Sequence, residues 1–73
     1  MSAERPAVPA GPLGRAPAGF VPRPEREQLL EAVLAGIELG EYDLRMAGWL
    51  AGLDTSTLLT IASWIVRARA AAR

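Results

Sequence analysis

All six prolines of the chain fall within its first 24 residues, at positions 6, 9, 12, 17, 22 and 24. Proline fixes φ and has no N–H, so regular structure is disfavoured there and unopposed afterwards. Gly11, Gly14 and Gly19 loosen the same stretch. Apart from Met1, its large apolar residues are only Val8, Leu13, Phe20 and Val21. So little apolar surface does not offset the entropy of ordering a segment. Residues 1–23 therefore read as a disordered Pro/Ala/Gly-rich tail with polyproline II character, and residues 24–73 as a small helical unit. Pro6, Pro9 and Pro12 are one polyproline turn apart, with Arg15 on the same edge. A spacer is the first reading of that spacing, and a docking motif for an aromatic groove the second.

Beyond Pro24 the apolar spacing is helical. Leu30, Val33, Leu34 and Ile37 form one stripe with Leu29 beside it, and Glu25 and Glu27 suit a positive helix start. Pro24 at the first helical position and Gly40 as a stop give a helix over 25–39. Asp43 is a candidate N-cap for a second helix over 44–51, which Gly52 ends. Asp54 or Thr55 caps a third, over 55–70, with Leu58, Ile61, Ala62 and Ile65 as its main stripe. No segment alternates with a period of two, so the expected fold class is all-α: a three-helix unit behind a disordered tail.

Residue types narrow the chemistry. The chain has eight basic and eight acidic residues, and no Cys or His. It also has no Lys or Asn; with abundant Ala, Gly, Pro and Arg, this suggests a GC-rich bacterial coding bias. Charge is unevenly placed. Residues 25–53 hold Glu25, Glu27, Glu31, Glu38, Glu41 and Asp43 against Arg26 and Arg45, whereas Arg67, Arg69 and Arg73 close the chain. Ser2, Ser56 and Ser63 have no His or Lys to activate them, and no phosphate-binding Gly loop with a Lys is present. No enzyme activity, metal or cofactor is expected. No apolar leader follows the N-terminus, so the expected location is the cytoplasm.

Helix 3 carries more apolar side chains than one stripe needs. Leu59, Trp64 and Val66 lie outside the main face, and Met46 and Trp49 add bulk on helix 2. A unit this small does not cover them all. These five are the candidate partner-binding residues, for a protein partner or a second copy. A membrane is not expected: Asp54 interrupts the apolar run 49–66, at a cost of roughly 2.5–3.5 kcal/mol at a helix centre.

Residues 44–65 also fit a helix-turn-helix template, with Ala47–Gly48 at the crossing, Gly52 in the turn and Leu53 behind it. The run Gly-Leu-Asp-Thr-Ser-Thr-Leu (52–58), followed by Arg-Ala-Arg (67–69), resembles the C-terminal helical region of bacterial sigma factors and related regulators. This covers about a third of the chain. DNA binding through Thr55, Ser56, Thr60 and Arg67 is the alternative function. Thr and Ser specify bases weakly, and the acidic preceding helices oppose the phosphate backbone. More broadly, residues 39–69, with Tyr-Asp-Leu-Arg (42–45), Trp-Leu-Ala (49–51) and Arg-Ala-Arg (67–69), resemble short actinobacterial proteins with a helix-turn-helix-like C-terminal half. That resemblance implies a self-standing bacterial helical module and brings no activity with it.

Overall fold

A computed structural model describes residues 8–72. It contains three α-helices and, among the described residues, no strand: α1 (Arg23–Val33), α2 (Glu41–Ala51) and α3 (Thr55–Ala71). The all-α class expected from the spacing is the one that forms.

The helix ends differ from the expected ones, each for a local reason. α1 starts at Arg23, with Pro22 as N-cap and Pro24 inside the first turn, where missing N–H groups cost nothing. It ends at Val33 and not near residue 39. The chain turns over residues 34–36, and Gly36 takes φ +86°, open to glycine without strain. Arg69 of α3 fixes this end: its guanidinium donates to Val33 O at 3.3 Å and Ala35 O at 2.8 Å. Cationic donors suit the negative end of a helix. α2 starts at Glu41, earlier than expected, because Gly40 is its N-cap. Asp43 sits one turn inside, and its carboxylate accepts from the Gly40 N–H at 2.9 Å. α3 starts behind Asp54, whose carboxylate accepts from the Thr57 N–H at 3.2 Å.

α1 and α3 make the core. Leu29 and Leu30 pack against Leu58, Leu59 and Ala62, with Val33, Leu34, Ala47 and Leu50 at the margin. The buried face of α3 is Thr55, Leu58, Leu59, Ala62 and Ser63. It is thus rotated from the expected stripe, which had Ile61 and Ile65 in place of Leu59 and Ser63. Both isoleucines are half-buried.

The Pro-rich segment causes this rotation. Residues 8–22 contain no helix or strand, yet they lie on the helices. Val21 is buried, and Val8 packs against the core. Thr55, Leu59 and Ser63 are four residues apart and so fall on one line of α3. Val21 N donates to Thr55 Oγ1 at 2.9 Å at one end of that line. Ser63 Oγ donates to Pro9 O at 2.6 Å at the other. The segment therefore crosses α3 as a strap running antiparallel to it. Eight helical residues rise only about 12 Å, whereas twelve polyproline residues would span roughly 37 Å. The strap is accordingly bent, with Gly19 at φ +101°.

One side chain joins the strap to two helices. Arg26 of α1 is only 9% exposed. Its Nε donates to Ala51 O at 2.8 Å, and its Nη1 donates to Val21 O at 2.6 Å. Ala51 is the last residue of α2, so the cation sits at the negative end of that helix. Replacing Arg26 by Ala leaves two carbonyls without this donor. Chemical denaturation is expected to show a loss of roughly 2–4 kcal/mol. Arg26→Lys keeps the charge without the planar fork and is expected to recover only part. An Arg26→Ala change within about 0.5 kcal/mol of the parent, typical of an exposed site, would contradict this role.

Candidate interaction surface

The five residues expected to bind a partner are not brought into one patch. Leu59 is 2% exposed and belongs to the core. It has no place in a docking surface, because the strap and α1 cover the side of α3 that looked surplus. Val66 and Met46 are half-buried. Trp64 is 59% exposed and Trp49 is 62% exposed, on different helices.

Trp64 borders a small depression of about 280 Å³ with Ala16 of the strap and Thr57, Thr60 and Ile61 of α3. Trp49 stands in a longer array that sequence reasoning found only in part. Tyr42, Arg45, Met46 and Trp49 recur on α2 at spacings of three, one and three, which place them on one face. Tyr42 is 63% exposed, and the Arg45 guanidinium lies 5.7 Å from its ring centroid. α2 fully buries only Ala51, so most of its apolar and aromatic surface faces outward. The 42/45/46/49 spacing was a readable signal; what hid it was the apolar bulk of α3, which the strap in fact covers.

The residues considered for DNA contact are engaged locally. Thr55 is buried, and its hydroxyl accepts from Val21 N and lies 3.3 Å from Val21 O. Ser56 Oγ donates to Asp54 Oδ2 at 2.7 Å, and Thr60 Oγ1 donates to Ser56 O at 2.8 Å. Arg67 Nε reaches Ser63 Oγ at 3.2 Å. The α3 N-terminus is instead a closed hydrogen-bond cluster on Asp54. Hydroxyl groups of Ser56 and Thr57, then the Thr57 N–H, hold the Asp54 carboxyl down from 3.8 to about 2. That end of α3 carries a fixed negative charge, which repels phosphate.

Among the described residues, no cluster of three or more acidic side chains is placed to hold a metal ion. No described helix is long and apolar enough to cross a membrane. Comparisons with protein-family models, with curated proteins and with solved structures return no match.

The placement of Leu59 in the core and of Trp64 at the surface makes opposite demands on two substitutions. Leu59→Ala is expected to cost about 2–5 kcal/mol, as for other large-to-small core changes. Trp64→Ser is expected to shift stability by no more than about 0.5 kcal/mol. Equal losses in thermal or urea unfolding would refute the placement.

Proposed function

We propose that this chain is a small non-enzymatic protein-interaction or self-association module of a bacterial protein, working in the cytoplasm. The observation that carries the reading is the exposure of the aromatic residues Tyr42, Trp49 and Trp64 on so small a unit, which also leaves Phe20, Ile37 and Leu44 exposed. Aromatic residues dominate association energetics, because each buries much surface at little entropic cost. Maintaining two exposed tryptophans has no benefit inside the fold. The carboxylates with clear local partners have structural roles: Asp43 and Asp54 serve as helix caps, and Glu27 pairs with Arg23.

The module reading predicts association through these side chains. Sedimentation of the full chain, with and without lysate of its source, is expected to show a species larger than the monomer. Both Trp49→Ser and Trp64→Ser, with unchanged helical circular dichroism, are expected to weaken it. Tryptophan fluorescence is expected to shift to the blue as the complex forms. A chain that stays monomeric at high concentration and captures nothing would remove the basis for this function.

A further inference from the structure

The strap is held unequally at its two ends. Val21 is 1% exposed and clasped from two helices: its N–H donates to Thr55 Oγ1 at 2.9 Å, and its carbonyl accepts from Arg26 Nη1 at 2.6 Å. At the other end Val8 packs against the core, and Pro9 O accepts from Ser63 Oγ at 2.6 Å. Among the described residues, that is the one hydrogen bond joining residues 8–18 to the helices. Pro9, Pro12 and Pro17 have no N–H to offer. We propose that residues 8–18 are a latch: they swing off α3 about Gly19 while Val21 stays clasped, so that the line of Leu59 and Ser63 is covered in one state and open in the other.

Release leaves different groups behind at the two ends. Lifting Val21 strips the buried Arg26 guanidinium of one of its two carbonyls and Thr55 of its partner, and buried polar groups without partners are costly. Lifting Pro9 orphans nothing. Its carbonyl turns to water. Ser63 Oγ already accepts from Arg67 Nε at 3.2 Å, and its proton is free to turn to the carbonyl of Leu59, one helical turn back. Thr60 on the same helix makes the equivalent bond, to Ser56 O at 2.8 Å.

Between its anchors the strap is loosely packed and has a hinge. Residues 10–12, 14–16 and 18–20 are exposed, and Leu13 and Pro17 are half-buried. Segments with few buried contacts open locally at low free energy. Gly19 holds φ +101°, and a Cβ there would meet nothing within 4 Å, so its rotation is not blocked. The latch also shapes the surface, because Ala16 borders the depression beside Trp64. Release removes that border and opens Leu59 and Ser63 next to the exposed indole. The latch thus sets how much of α3 is open, and it does so in the isolated chain.

The chain has no Cys, so a single introduced thiol reports the latch. Ser63→Cys places that thiol at a site that is 0% exposed. Its alkylation is expected to depend on denaturant much less steeply than global unfolding does. Over the same range the Val21 amide is expected to stay as protected from exchange as that of Leu58. Gly19→Ala, strained at positive φ, is expected to speed alkylation about fivefold without lowering Val21 protection. A second probe keeps Ser63 in place. In a Trp49→Phe chain, a dansyl group on Ala10→Cys accepts energy from Trp64, and transfer is expected to fall on adding Gly19→Ala or Ser63→Ala. Alkylation with the full denaturant dependence of unfolding overturns the proposal. So does Val21 exchange that rises in step with alkylation, because the strap then leaves in one piece. Energy transfer unchanged in both variants overturns it as well. None of these readouts needs a partner, so failure of the latch leaves the association reading standing, and the reverse.

Discussion

A buried arginine, with no ion pair among the described residues, holds this fold together. Desolvating a cation is costly, and a bare charge inside would destabilise the chain. Arg26 is accommodated because its fork meets two carbonyls, Ala51 O at the C-terminus of α2 and Val21 O in the strap. The first brings the helix macrodipole to bear on the cation. The second fixes the residue whose N–H is held by Thr55 at the start of α3. Strap, α1, α2 and α3 thus meet within a few hydrogen bonds. Leu29, Leu30, Leu58, Leu59 and Ala62 supply the apolar contact around them.

That junction decides which surfaces remain exposed. With the strap seated on the Thr55–Leu59–Ser63 line, α3 keeps Trp64 exposed but loses Leu59 to the core. α2 is attached differently. It is held at its C-terminal end by Arg26 and Arg23, with Ala47 and Leu50 touching the core margin. One face then presents Tyr42 and Trp49 outward with Met46 half-buried between them, and another borders an open groove against α1. α2 therefore exposes two aromatic side chains, Tyr42 and Trp49, and the longer α3 exposes one, Trp64.

Helical periodicity made the three helices legible, and Asp54 and Pro24 marked two of the starts. Periodicity identifies a face but not what covers its flank. Leu59 and Ser63 looked surplus or polar because their cover is the strap, which has no period of its own. Val21 was one apolar residue among prolines, and its burial depends on Arg26 and on Thr55, 34 residues along the chain. Nothing in the sequence marks Arg26 or Arg69 as a link between elements, because a helical arginine gives no local sign that it will meet another element's carbonyls. Gly40 was the expected stop for α1; the chain turns at Gly36 instead, where Arg69, 33 residues on, meets the end of the helix. Of the candidate site, Trp49 and Trp64 were legible from bulk and spacing. The α2 array emerges only once α2 is seen to bury so little.

Amide hydrogen exchange at Val21 tests the central claim most directly. In the clasped fold its N–H donates to a buried threonine hydroxyl, so it opens only when the strap lifts from α1 and α3. The expected result is protection close to that of the Leu58 and Leu59 amides, lost in Arg26→Ala. Exchange at the rate of an unstructured peptide, with α3 still protected, would mean that the strap is not part of the fold and that Leu59 is covered by something else.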